Sequence, residues 1–163
     1  VLFRSALNGH LVVQGPKGKR TIAMKDFVLG PYATALNYNE IAIEAVIPAP
    51  KGVARGGYLK LERRVGDFAT ASVAVALDMS GETVLGAGFA LAGVGGKTID
   101  ANDAASALIG QKLTDATIAK AAALVAAKAE PRTDHRGSAE YKRHIIETFV
   151  KRILVANSAQ KVA

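Results

Sequence analysis

Short β-branched runs at Leu11–Val13 and Thr21–Ile22 flank Gly15-Pro16-Lys17-Gly18-Lys19-Arg20. Proline and glycine supply turn geometry between such runs, so this stretch predicts a hairpin. A second extended run, Ile41–Ile47, alternates only partly and stops at Pro48 and Pro50, because proline cannot donate to a strand ladder. Pro48–Gly57 is then the natural boundary between two units. Beyond it, Phe68–Leu77 and Thr83–Val94 are rich in Val, Leu, Thr and small residues and are separated by the turn-type cluster Asp78–Glu82, predicting a long antiparallel hairpin. Gly86, Gly88 and Gly93 interrupt its second strand, where glycine marks a bulge or a close backbone approach by a helix or a ligand.

Three helices follow: Ala101–Ile109, closed by Gly110; Asp115–Ala129, entered through Thr114; and Ser138 to about Asn157. Ile118, Ala121, Ala122 and Val125 share one face of the second, and Tyr141, Ile145, Phe149 and Ile153 one face of the third; both stripes read as core. The other side of the third helix carries Lys142, Arg143, Lys151 and Arg152, a solvated face. Sheet first and helices afterwards make an α+β fold.

A chain of 163 residues with 50% hydrophobic side chains can bury a core. Its longest apolar stretches, Ala71–Leu77 and Ala87–Val94, fall far short of the ~20 residues that a membrane-spanning helix needs. Val1–Ser5 has no apolar run or cleavage site of a secretory signal, and the expected location is the cytoplasm. The absence of cysteine excludes disulfides, thiolate metal sites and iron-sulfur clusters from this chain. A net charge of +7 invites a nucleic-acid reading, but the cations are dispersed, aromatic residues are few and no reading helix is recognisable, so nucleic acid is not the expected partner.

The chemical motifs thin out on inspection. Gly95-Gly96-Lys97-Thr98 resembles the end of a phosphate loop, yet Leu91 stands where the required glycine belongs, and the segment reads as a hairpin loop. Gly86-Ala87-Gly88 lacks the third glycine and the following helix of a dinucleotide fingerprint. His10, His135 and His144 are scattered, so no metal site is expected, and no serine sits in a nucleophile elbow. What stands out is Tyr58-Leu59-Lys60-Leu61-Glu62-Arg63-Arg64-Val65-Gly66-Asp67-Phe68-Ala69. Such a run is either an exposed loop or a segment offering cations and an aromatic surface to an electron-rich ring.

That segment resembles the signature Tyr-x-Lys-Leu-x-Arg-Arg-x-Gly-Asp-aromatic-Ala of flavin subunits in the molybdenum hydroxylases, the group of aerobic carbon-monoxide dehydrogenase and xanthine dehydrogenase. Gly15–Ile22 with Asp26-Phe27 and Gly30-Pro31-Tyr32, Thr34–Pro48, and Asp134–Arg143 also agree, in the family's order, over roughly 150 residues. The resemblance implies that residues 1–50 are the tail of an FAD-binding domain of the vanillyl-alcohol-oxidase type. It makes residues 51–163 a small antiparallel sheet with three helices, the flavoprotein C-terminal domain. Relatives hold the FAD pyrophosphate on two glycine-rich loops upstream of everything here, so the chain reads as a truncated flavin subunit, inactive alone. Val1–Ser5 resembles sequencing-adaptor read-through and is left out of the fold reasoning.

Carried over by position, the resemblance implies that Lys60 points to the polar edge of the isoalloxazine, Phe68 packs near the ring, Asp67 fixes the loop between them, and the backbone near Ala42 lines the same site. None is a chemical catalyst. The implied cofactor is FAD; the molybdenum cofactor and two 2Fe-2S clusters belong to a large and a small partner subunit, in a dimer of heterotrimers. In that setting FAD passes electrons from the iron-sulfur clusters to an acceptor. The competing reading is a non-catalytic module that docks on the iron-sulfur subunit.

Overall fold

Strand Ala71–Ser80 is apolar at almost every position because it is covered on both sides. In the computed structural model, which describes residues 2–158, the chain runs α1 (Leu2–Ala6), β1 (His10–Gly15), β2 (Gly18–Ala23), α2 (Met24–Phe27), β3 (Val28–Gly30), β4 (Ala33–Thr34), β5 (Ile41–Val46), β6 (Val53–Leu61), β7 (Ala71–Ser80), β8 (Thr83–Ala92), β9 (Ile99–Asp100), a 3-10 turn (Asn102–Ala107), α3 (Asp115–Ala127) and α4 (Ala139–Ser158). Three antiparallel sheets result: β2-β1-β5, the small pair β3-β4, and β6-β7-β8-β9. The fold is α+β, as the order of elements predicts.

Alternation splits β7 between two cores. Val73, Val75, Leu77 and Met79 join Phe89, Leu91, Ile118, Val125, Ile146, Val150 and Leu154 beneath the helices, while Ala74 and Ala76 meet Ala6 and Ala90 on the opposite face. Each large side chain buried there contributes about 1.5–3 kcal/mol relative to exposure, which is what holds α4 on β6 and β7. In β8, Val84 points to the helices and so do Phe89 and Leu91, an odd-numbered offset that a strict two-residue period forbids. The register resolves it: Asp78 pairs with Gly86 and Met79 with Val84, leaving Leu85 as an extra residue in a bulge.

Gly88 of β8 has the predicted function, while Gly93 lies beyond the strand. A Cβ on Gly88 would lie 1.8 Å from the Ala6 carbonyl oxygen, so the close approach is by helix α1. The segment Leu2–Ser5, which the sequence reading sets aside, therefore takes part in the fold, with Ser5 and Ala6 buried. Asn102 fastens it: its Nδ2 donates to Ser5 O and Asn8 Oδ1, while its Oδ1 accepts from Phe89 N at 2.6 Å.

The helices begin and end close to their signals. Thr114 caps α3 in a reciprocal capping box with Thr117, and Ser138 Oγ accepts from Tyr141 N at the start of α4. The first predicted helix is instead a 3-10 turn. The α4 stripe is rotated: Ile146, Phe149, Val150, Ile153 and Leu154 are buried, while Tyr141 is exposed. Lys142, expected on the solvated face, is only 3% exposed. Strand β6, which the pattern does not predict, runs through the expected boundary at Gly56 and Gly57. Phe68, expected in a strand, precedes β7 in a loop.

Candidate functional site

Strands β6 and β7 are joined by a loop running from Glu62 to Thr70, and the ladder extends into it through Thr70 N donating to Leu61 O at 2.8 Å. Inside the loop, Asp67 N donates to Arg64 O, and Gly66 takes φ +86, a conformation that disfavours side chains. Asp67 is the hub. Its Oδ1 accepts from Phe68 N at 2.7 Å and from Arg136 Nη2 at 3.2 Å, and its backbone oxygen accepts from Lys60 Nζ at 2.6 Å. Lys60, at the end of β6, also pairs with Glu62. An ammonium has three donors, and the described hydrogen bond to Asp67 O engages one of them.

The loop presents apolar surface to solvent. Phe68 is 84% exposed and Val65 fully so. A large aromatic ring held outward on a loop clamped at both neighbouring backbone positions offers a preformed flat surface. Lys60, Asp67 and Phe68 are thus brought together. Ala42 stands apart from them, exposed on β5 of the three-stranded sheet, opposite Val13.

The second half of the clamp comes from the connection between α3 and α4. Asp134 and Gly137 bridge through their backbones, Asp134 Oδ1 accepts from Arg136 N at 2.8 Å, and Gly137 takes φ +143. Lys142 Nζ reaches Asp134 Oδ2 at 2.7 Å and Arg132 O at 2.8 Å, fixing the turn from beneath. On this turn Arg136 donates from Nη1 to Phe68 O at 2.6 Å as well as to Asp67. Sequence reasoning assigned Arg136, Asp134 and Lys142 no part in the site. The spacing of Asp134 and Gly137 does carry the signature of a turn, but nothing local discloses a partner 68 residues away.

The Phe68 N–H, with the charges of Arg136 and Arg63 beside it, holds the Asp67 carboxyl below its ordinary range. The Lys142 ammonium, followed by the Arg136 N–H, does the same for Asp134. In the three-stranded sheet the Arg20 guanidinium, with the Asn37 N–H, holds Glu40 at about 2; two bonds of 2.7 Å join Arg20 to Glu40. Each carboxylate has a folded value below its unfolded one. Their stabilisation is complete above the unfolded value, about 4, and is lost as pH falls through the folded value. We expect the urea midpoint to be flat from neutrality to about pH 5 and to fall below about pH 4. Asp67→Asn and Glu40→Gln should each flatten that acid limb; an unchanged limb in both would mean that other groups govern it.

Residues 57–156, from the last glycine of β6 through most of α4, match the CO dehydrogenase flavoprotein C-terminal domain family. The chain belongs to that family. The match takes in the whole clamped loop and the Asp134 turn. The chain is 38% identical to the carbon monoxide dehydrogenase medium chain of Hydrogenophaga pseudoflava over 93% of its length. It is 34% identical to the nicotine 6-hydroxylase medium subunit of Paenarthrobacter nicotinovorans, over 95%. It spans about half of these relatives, 53% and 54% respectively. A solved carbon monoxide dehydrogenase from Hydrogenophaga pseudoflava superposes with a TM-score of 0.87 at 38% identity, over 96% of this chain and 55% of that one. Quinoline 2-oxidoreductase from Pseudomonas putida gives 0.81 at 28%, over 96% and 54%. The flavoprotein C-terminal domain is therefore the fold that builds the Lys60–Phe68 loop.

Proposed function

We propose that this chain is part of the flavin subunit of a molybdenum hydroxylase, and that the loop from Lys60 to Phe68 faces the isoalloxazine of FAD. The observation that carries the reading is an exposed Phe68 on a clamped loop beside the Lys60 ammonium, whose side chain is 26% exposed. This donor set fits a flat, electron-rich ring with a polar edge: the aromatic face supplies apolar contact and Lys60 supplies charge and an N–H. When bound, FAD supplies electron transfer between donor and acceptor. Phe68 excludes water from one side of the ring, Lys60 offers a hydrogen bond to its edge, and Asp67 keeps the two in register. Residues 1–50 on this reading belong to the flavin-binding domain and 51–163 to the C-terminal domain.

The partners are an iron-sulfur subunit and a molybdenum subunit, which carry the remaining redox centres. Proteins similar to this chain come from enzymes named for carbon monoxide, glyceraldehyde, nicotine and quinoline. One fold serving such different molecules supports substrate choice residing on another subunit.

The test is FAD binding, followed by flavin absorbance and fluorescence. It compares this chain with the same chain preceded by the half of the Hydrogenophaga pseudoflava medium chain that the match leaves uncovered. The joined protein should bind FAD, and Lys60→Ala should alter the flavin spectrum and weaken binding by about tenfold, the loss of one charged hydrogen bond. Failure of both proteins to bind FAD would overturn the cofactor reading and favour a docking module.

A further inference from the structure

We propose that Arg136 is a positioning residue for the flavin-facing loop, acting from the other end of the domain's sequence. The inference rests on the reading of that loop as the flavin site. Arg136 touches neither Lys60 nor the exposed ring of Phe68 in the contacts described above; it holds the backbone that carries the ring. Its guanidinium makes a fork, with Nη1 to Phe68 O and Nη2 to Asp67 Oδ1. Its side chain is 18% exposed, and its bond to Asp67 is partly shielded from competing water. A fork of this kind fixes direction as well as distance, and a lysine at the same place supplies charge but not the fork.

The arginine is itself held from behind. The buried Lys142 pairs with Asp134, and Asp134 accepts the Arg136 N–H. From α4 outward the charges alternate: Lys142, Asp134, Arg136, Asp67, with Arg63 on the far side of Asp67 at 3.7 Å. This series links a helix in the core to the tip of a loop that has little apolar packing of its own. Phe68 and Val65 point outward, and Gly66 has no heavy atom near the position of a Cβ. Without the fork, the described contacts left to hold the loop are those of Lys60, the Arg63–Asp67 pair and the loop's own hydrogen bonds.

The experiment has two readouts. Amide hydrogen exchange is measured in this chain for wild type, Arg136→Ala, Arg136→Lys and Asp67→Asn. Flavin absorbance and reduction potential are measured for the same variants, with Lys60→Ala and Phe68→Ala, in the joined, FAD-loaded protein. Arg136→Ala should speed exchange of the Phe68 and Thr70 amides by about tenfold or more, as expected for losing charged hydrogen bonds, and leave β7 and α3 unchanged. It should shift the flavin spectrum and potential in the same direction as Phe68→Ala, with only partial rescue by lysine. Asp67→Asn tests the same clamp if the arginine variant folds poorly. A loop that loosens while flavin properties stay fixed, although Phe68→Ala moves them, would make Arg136 merely structural and overturn the proposal. If Lys60→Ala and Phe68→Ala leave bound flavin unmoved, the loop is not the flavin site, and both readings fall.

Discussion

Gly56→Ala is expected to destabilise the protein by about 3 kcal/mol or more, the combined scale of a strained backbone and an overpacked core. Gly56 takes φ +147 at the point where β6 passes under α4, and a Cβ there would lie 2.1 Å from the carbonyl oxygen of Val75, a backbone atom that cannot swing away. The surroundings are tied down as well. Asn157 of α4 donates to Gly56 O and accepts from Gly56 N, and a Cβ on Gly57 would lie 3.0 Å from Ile153 Cγ2. Urea denaturation should show a large fall in midpoint at constant slope. Gly66→Ala is the control: its φ is also positive, but nothing lies within 4 Å of its Cβ position. It should cost only about 1–2 kcal/mol, the penalty of a left-handed conformation. Equal losses in the two variants would show that backbone conformation alone, without the Val75 contact, sets the cost.

Phe89→Ala is the second large effect, about 3–5 kcal/mol. The bulge at Leu85 sets the phase of β8 so that Phe89 points to the helices, where it is fully buried among Val and Leu side chains of β7, α3 and α4. Its backbone is fixed by its N–H donating to Asn102 Oδ1 and its carbonyl oxygen accepting from Ala101 N, with β7 paired on its other side, so the strand cannot drift to fill the vacated space. Leu113→Ala, a partly buried contact at the edge of the same cluster, should lose much less. Thermal unfolding of the two variants side by side measures the difference; a similar loss in both would mean that the core collapses easily around the missing ring.

How much of this was legible follows from where each signal resides. The limits of α3 are local, a threonine cap and a stripe of Ile118, Ala121, Ala122 and Val125, and they match the structure to within two residues at the C-terminal end. The β7–β8 hairpin is also local, although Asp78, Met79 and Ser80, taken for turn, belong to β7. Strand β6 was not legible because Gly56, Gly57 and the charges after Tyr58 break the period of two. What makes it a strand is β7, which supplies the hydrogen bonds and whose Val75 carbonyl leaves no room for a side chain at Gly56, and α4, whose Ile153 crowds Gly57. The α4 stripe was shifted because Tyr141 and Ile145 are as apolar as Ile146 and Val150. Lys142 sits at a buried position that only the distant Asp134 turn makes tolerable.

The candidate site divides in the same way. Lys60, Asp67 and Phe68 lie within one stretch of chain, and a run of charge ending in an aromatic residue can be noticed without knowing the fold. Arg136 is invisible to such a reading, because its importance depends on α3 and α4 being packed on β6 and β7.

Helix α1 is the first element of the chain and is seated on β7 and β8, with its Ser5 carbonyl bonded to Asn102, 97 residues later. Its docking closes one of the longest loops in the molecule, whereas the β7–β8 hairpin and the α3–α4 pair close short ones. During synthesis helix α1 must therefore wait, with Leu2 and Ala6 uncovered, until Gly88 has been made and paired with Ala76. The order of manufacture and the order of assembly run in opposite directions.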